Sequence, residues 1–522
     1  MKATRLTVVS NRLAIAVDQQ QKGQWTIRPG SGGLVTALGP VLRDRGGQWI
    51  GWTGAGGQAP IDAAFLDELL ANGSRETGYT LRPVHLTADE VQKYYHGFSN
   101  EILWPLFHDL PSRCNFDPTY WQVYDRVNVK FAQAVAAHTN GEDYVWVHDY
   151  HLILVAHYLK TIGVERRTGF FLHIPFPPLD GFIKLPWRFQ ILHALLRYDL
   201  VGFQTMRDRR NFMDCVRMLM PQARITGHRH IAHCLTPEQE VLIGAFPISI
   251  DFKQFAEAAA SEEVQEHAWI IHANLPERQL VLGVDRLDYT KGIPLRLQAF
   301  ANALERYPEL RGKVTLVQVV VPSREEVPEY EALKREIERL VGEINGRFNQ
   351  VEWTPIHYIY RSLSQKELLA YYRTCEIALI TPLKDGMNLV AKEFCACSID
   401  NNGVLILSEF AGAAAQLHSG ALLVNPFDIV GTGDAIRRAC FMDEGSRRNR
   451  MAKMRRSIQR HDIFQWVNAF LRTGIHKDLD QFPRAELFLP TAEQCGSHGK
   501  LEDPLSGGRP QQPGSSLAPP LS

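Results

Sequence analysis

The chain has 522 residues, 45% hydrophobic and 22% charged, with Lys+Arg 57 against Asp+Glu 57. That length exceeds one ordinary core and, at about 150 residues per domain, implies two to four units. The balanced charge excludes a global field that would recruit nucleic acid or an anionic membrane, so any anionic ligand must be met by local clusters.

Met1 to Ser10 is too short an apolar run for a signal sequence, and no later window holds the roughly eighteen apolar residues of a membrane span. A cytoplasmic protein with free thiols is expected, because the eight cysteines are scattered through apolar contexts. Cys395 and Cys397 lack zinc or redox spacing. His228, His230, His233 and Cys234 are closer to ligand chemistry, but they lie in a polar connection without a second ligand pair, and no metal is expected there.

Leu6 to Ser10 reads as a first buried strand that ends at Asn11-Arg12, leaving a guanidinium at the carboxyl edge of a sheet, where open α/β sheets bind ligands. Gly32-Gly33 then opens a helical pattern through Leu34, Leu38 and Leu42; it is either a flexible loop or a place where the backbone can approach a phosphate. From Trp49 to Phe107 the chain is aromatic-rich, and Tyr94-Tyr95 can present one hydroxyl to a ligand. Tyr144 to Val147 is a further strand, with Asp149 after it as helix cap or ligand group. Gly169 to Leu172 ends where prolines stop both sheet and helix as His173 emerges. Strands alternating with helices predict a doubly wound parallel sheet.

The junction to a second α/β unit is placed near 246–251. Leu280 to Val284 is a strand ending in a loop that carries Arg286, Lys291 and Gly292, suited to a diphosphate. Val314 to Val321 is apolar throughout, hence buried on both faces, and runs into Pro322-Ser323-Arg324. Glu325 to Leu340 is expected to be a solvated charged helix, and Gln350 to Ile359 a strand. Ile377 to Ile380 leads through the turn Asp385 to Asn388 into a helix; either Asp385 merely caps that helix, or its first amides hold an anion, with Glu393 one turn further in placed to take paired sugar hydroxyls. Arg447 to Leu471 reads as one long helix able to pack back across both domains, and the Pro-, Gly- and Ser-rich end as disordered.

Ser10-Asn11-Arg12, Gly32-Gly33-Leu34, Tyr94-Tyr95, Trp146 to His151, Phe171 to Pro177, Gly202 to Thr205, Arg286 to Gly292, Pro322-Ser323-Arg324 and Asp385 to Glu393 occur together and in order. In this combination the chain resembles the trehalose-6-phosphate synthases, glycosyltransferase family 20, from about residue 5 to 475. The resemblance implies a GT-B fold, two Rossmann-like domains facing across a cleft. It divides the chain into an acceptor domain at 1–245, a nucleotide-sugar domain at 246–460, a helix at 461–482 packing back on the first domain, and a disordered tail at 483–522.

It also implies a retaining transfer of glucose from UDP-glucose to glucose 6-phosphate without a metal or other cofactor. The donor would meet Gly32, Gly33, Arg286, Lys291, Leu363, Leu389, Val390, Ala391, Lys392 and Glu393. The acceptor would meet Arg12, Tyr95, Asp149 and Arg324, with His173 and Asp385 beside the transferred glucose and Arg286 and Lys291 assisting departure of the diphosphate. Partners are thus small molecules, and a homo-oligomer is compatible with the sequence. Leu185-Pro186-Trp187-Arg188 also resembles the glucosylglycerol-phosphate synthases, which pair ADP-glucose with glycerol 3-phosphate. Retention of Arg12 and Arg324 favours the hexose phosphate. A non-catalytic regulatory subunit is opposed by the presence of Arg286, Lys291, His173 and Glu393 together.

Overall fold

A computed structural model describes residues 5–19, 25–30, 33–54, 63–227, 230–274, 278–324, 327–476, 488 and 491. Its first sheet has nine strands in the order Thr80–Val84, Gly47–Trp52, Leu6–Arg12, Tyr144–His148, Arg167–Phe171, Leu200–Phe203, Glu240–Ala245, Ile231–Leu235, Arg224–Thr226. All are parallel up to Glu240–Ala245, and the last two add antiparallel pairs. The second sheet has six parallel strands in the order Ile356–Tyr360, Val314–Val321, Gln279–Arg286, Ile377–Ile380, Val404–Ser408, Leu422–Val424. Two α/β units of the Rossmann type therefore face each other, and the GT-B expectation stands.

In each sheet the strand order reverses at the first strand. The reversal lies between Leu6–Arg12 and Tyr144–His148 in one, and between Gln279–Arg286 and Ile377–Ile380 in the other. Connections leave such neighbours in opposite directions and open a crevice at their carboxyl ends. The topology thus brings Arg12 and Asp149 to the crevice of one sheet and Arg286 and Asp385 to that of the other, and the apposition of the two domains makes these one cleft.

The strands are buried on both faces, with Val8, Val147, Leu282, Val317 and Leu379 among the residues inside, as covered parallel sheets require. After Ala245 the chain crosses to the helix Phe252–Ala259, whose Phe252 and Ala259 belong to the core of the second unit. The helix expected over Arg447 to Leu471 is two helices, Glu444–Arg460 and Ile463–Leu471. Asp462 makes the break, its carboxylate accepting from the Gln465 amide at 2.9 Å as an N-cap. The second helix returns to the first domain, where Trp466 and Phe470 lie 5.0 and 4.3 Å from Trp146.

Three further differences are local. The charged helix begins at Pro328 and runs to Phe348. Gln350 and Trp353 bond to each other in a turn, so the following strand starts at Ile356. Val91–Leu103 forms a wide helix with π-type turns, a form often found at functional sites. Of the tail expected to be disordered, only 488 and 491 are described; Phe488 stacks on His418 at 4.8 Å. No described helix is long and apolar enough to cross a membrane.

Candidate active site

On the first domain, the exposed Arg12 lays its guanidinium 4.2 Å from the Trp52 ring and 5.6 Å from Tyr95. Asn11, one residue earlier, accepts from the Tyr94 hydroxyl at 2.9 Å, and this ties the strand end to the wide helix that presents Tyr95. Of the Tyr94-Tyr95 pair, Tyr94 is therefore structural and Tyr95 is the one beside the cations. Burial would raise the Tyr95 phenol, but Arg324, Arg12 and Arg286 around it bring it below its ordinary range.

Asp149 has φ 74° and donates its amide to Phe171 at 2.8 Å, while its carboxylate accepts from the His173 amide at 3.2 Å. These bonds hold the two strand ends together. Burial pushes the Asp149 carboxyl up to about 7 against the backbone bonds and Arg286, which favour its charge. His173 is pulled down to about 3 by burial, which makes it a neutral imidazole.

On the second domain, Asp285 pairs with the fully buried Arg296, which also donates to Thr381 Oγ1 at 3.0 Å. This fixes the strand end from which the exposed Arg286 projects. Asp288 accepts from the Thr290 amide at 2.9 Å and hydroxyl at 2.8 Å, and the short turn closes at Gly292 with φ 65°. A side chain at Gly292 would meet the Thr381 carbonyl at 2.5 Å as well as the backbone strain.

The turn places Lys291 Nζ 2.6 Å from Asp385 Oδ2. Burial alone would raise the Asp385 carboxyl, but Lys291, the Met387 amide and His108 together hold it below the usual range. Asp385 is not the cap of the following helix. Asn388, at φ 63°, accepts from the Ala391 amide at 3.1 Å, and Leu389 and Val390 precede Ala391 in the first turn, whose amides have no acceptor within the helix.

Arg324 lies on the second domain with φ 51°, but its guanidinium is 4.9 Å from the Trp104 ring of the first. It donates to Tyr330 and stands 4.0 Å from Asp288. Arg12 and Arg324 are thus joined at Tyr95 by domain contact, although more than three hundred residues separate them in the chain. Other contacts hold this closure. Lys384 pairs with Asp109, Arg113 lies 4.7 Å from the Tyr289 ring, and Gly386 packs so closely that a Cβ there would be 2.5 Å from the His173 carbonyl.

Glu393 accepts from the Tyr372 hydroxyl at 2.9 Å, and burial raises its carboxyl. Leu363 packs half-buried on the core of the second domain, in the loop after Ile356–Tyr360. Gly33 starts the helix Gly33–Arg45, while Gly32 lies outside the described residues. Lys392 is 2% exposed and its Nζ donates to the Ile248 carbonyl at 2.6 Å, so its side chain ties the helix to the crossover segment, and a donor contact at this position would fall to its backbone. Burial lowers its ammonium to about 7.

Trp104, Tyr330, Tyr372 and Asn388 complete the site, and sequence reasoning did not single them out for it. Tyr330 was hidden in a helix whose charges alone explain its pattern. Among the described residues no cluster of three or more metal-binding side chains occurs; His233 instead pairs with Glu240 at 2.6 Å.

With this geometry in place, comparison with known proteins decides the family. The sequence profile described as glycosyltransferase family 20 matches residues 4–474. The chain belongs to that family. Among its relatives, trehalose-6-phosphate synthase of Mycobacterium sp. (strain JLS) is 43% identical over 469 residues, covering 89% of this chain and 95% of that protein. The Mycobacterium tuberculosis H37Rv protein of the same name is 41% identical, covering 89% and 93%.

Among solved structures, a UDP-forming alpha,alpha-trehalose-phosphate synthase from Burkholderia xenovorans in complex with glucose-6-phosphate superposes with a TM-score of 0.81 at 34% identity, covering 90% of this chain and 99% of that one. An E. coli structure described as trehalose-6-phosphate bound with UDP-2-fluoro glucose gives 0.80 at 36%, covering 90% and 98%. The family-20 chain is accordingly a glycosyltransferase, with the strand-end turns of both domains forming its cleft.

Proposed function

We propose that this chain transfers glucose from UDP-glucose to glucose 6-phosphate with retention of configuration, releasing UDP and α,α-trehalose 6-phosphate in the cytoplasm. The observation that carries this reading is the meeting of Arg12, Arg324 and Tyr95 across the domain boundary, with Arg286 beside them. Such a cluster suits a phosphate, and Asp149 lies close enough to Arg286 to feel its charge. The binding of glucose 6-phosphate by the Burkholderia relative agrees with it.

Arg286 and Lys291 serve the donor diphosphate. Negative charge grows on the leaving phosphate as the glycosidic bond breaks, so fixed cations there stabilise the transition state more than the ground state. No metal is required for that step. Glu393 takes the ribose hydroxyls and Leu363 flanks the base. Attack comes from the same face the leaving group departs, and the departing phosphate oxygen helps remove the acceptor proton.

A covalent carboxylate intermediate is disfavoured. Asp385 is bound by Lys291 at 2.6 Å, Met387 at 3.1 Å and Asn388 at 3.3 Å, which weakens it as a nucleophile. Asp149 is tied to the His173 amide.

The test is to incubate purified protein with UDP-, ADP- or GDP-glucose against glucose 6-phosphate or glycerol 3-phosphate and to read product mass. A hexose disaccharide phosphate formed best from UDP-glucose is expected. No disaccharide phosphate from any donor would sink the proposal, and a glucosylglycerol phosphate would replace it.

A further inference from the structure

His148 ends the strand Tyr144–His148, is fully buried, and stands in register beside Phe171, two residues before His173. Its Nδ1 lies 3.1 Å from Nε2 of His173, the rings 5.3 Å apart. Two neutral imidazoles at that distance share one hydrogen, and there are two ways to place it. If His148 donates from Nδ1, its own Nε2 carries a lone pair and His173 must carry its proton on Nδ1. If His173 donates from Nε2, His148 has an N–H at Nε2 and His173 has a bare Nδ1.

The surroundings choose between them. His148 Nε2 is buried without a hydrogen-bond partner. The rings of Trp146 and Trp466 stand 4.7 and 6.4 Å from the His148 ring, centre to centre, and both indole N–H groups are also buried without acceptors. An N–H at His148 Nε2 would add a third orphaned donor to that pocket. A lone pair there leaves an unpaired acceptor instead, and a buried unpaired donor is the rarer defect.

We infer that His148 is a positioning residue which donates from Nδ1 to His173 Nε2, fixing His173 as the Nδ1–H tautomer so that its free ring nitrogen meets the cleft as a donor. This rests on the proposed transfer only for its consequence, since a fixed donor suits an oxygen of the bound sugar. Trp466 comes from the returning helix Ile463–Leu471, so that helix walls the relay: its ring is 6.3 Å from His173.

The test uses the full chain labelled with 15N-histidine. Ring-nitrogen shifts of His173 should report a protonated Nδ1 and an unprotonated Nε2 in the wild type. In His148→Asn, whose amide nitrogen falls near the lost Nδ1, that signature should persist. In His148→Leu it should change to a mixture containing the Nε2–H form. The Leu variant should lose on the order of 10- to 100-fold in kcat, as removal of ring-orienting partners does elsewhere. Both KM values should stay within about twofold of wild type, and the Asn variant should recover most of kcat. A wild-type His173 protonated on Nε2, or the same tautomer in all three proteins, overturns the inference whatever the substrates prove to be. If the Leu variant fails to fold, the wild-type and Asn spectra still decide it.

Discussion

Gly386→Ala isolates the contribution of domain closure. A Cβ on Gly386 would lie 2.5 Å from the His173 carbonyl oxygen, 2.9 Å from Ile174 C and 3.0 Å from Ile174 Cα. All three are backbone atoms of the opposite domain, so no side chain can swing aside. Ordinary contact begins near 3.4 Å, and the two segments must separate by about 0.9 Å. Overpacking of this size costs typically about 1–3 kcal/mol. Because the clash lies between domains, opening the cleft relieves it, and the cost falls on the closed form. Such an energy lowers the closed population about 5- to 150-fold. The expected result is a fall in kcat/KM of roughly 10- to 100-fold, an increased radius of gyration by small-angle scattering, and a nearly unchanged unfolding temperature. Gly342→Ala is the control: it lies within the helix Pro328–Phe348 with nothing within 4 Å of its Cβ, and should leave turnover alone. Normal kcat/KM in Gly386→Ala would refute the claim that this backbone contact is part of the reactive arrangement.

Arg324→Lys removes the planar fork that lies over Trp104 and donates to Tyr330; KM for the sugar phosphate should rise about tenfold or more with donor KM within about twofold, measured by initial rates. Asp149 has a folded carboxyl raised from 3.8 to about 7. Between those values the folded chain holds a proton that the unfolded chain has lost, so this group makes stability fall as pH rises through that window. Asp149→Asn should therefore gain in denaturant midpoint relative to wild type between pH 4.5 and about 7; parallel curves would count against it. Lys392 is lowered from 10.5 to about 7, so in that range the unfolded chain binds the extra proton and stability rises with pH. Lys392→Met should abolish that rise, seen by denaturation at pH 7 to 10, while donor KM changes by less than about threefold because the side chain faces Ile248.

The parallel sheets were legible because each buried strand is a short apolar run ending in chemistry: Asn11-Arg12, His148-Asp149, Asp285-Arg286. Such runs cannot be solvated on either face, and their ends must open to the cleft. What could not be read are features decided by contact across the fold. Asp462 interrupts a helix whose periodicity is continuous, because a capping carboxylate outweighs pattern at one residue. Lys392 belongs to the segment that the family resemblance implies for the donor, and nothing in the sequence shows that its ammonium turns to a carbonyl of the crossover segment, a partner 144 residues away. Arg324 carries no mark in sequence that it would cross to Trp104.

The pairing of Lys291 with Asp385 ties these parts into one argument. A half-buried lysine and a buried carboxylate 2.6 Å apart satisfy each other, and neither can be removed without leaving a charge that the low-dielectric cleft penalises. A donor diphosphate brings anionic oxygens to compete for that ammonium. Arg286 is exposed at the neighbouring strand end and needs no such exchange. On the proposed function the two cations would then play different parts: Arg286 attracts the diphosphate, while Lys291 redistributes its bonds between Asp385 and phosphate as charge moves. Lys291→Ala should thus leave Asp385 with a carboxyl raised toward or above its ordinary value, since burial is then opposed by Met387, Asn388 and His108 without a cation beside it. In the pH profile of residual turnover, a new ionisation absent from Arg286→Ala would carry that signature. Identical profiles for the two variants would show that Lys291 and Arg286 act alike and that its pairing with Asp385 has no part in turnover.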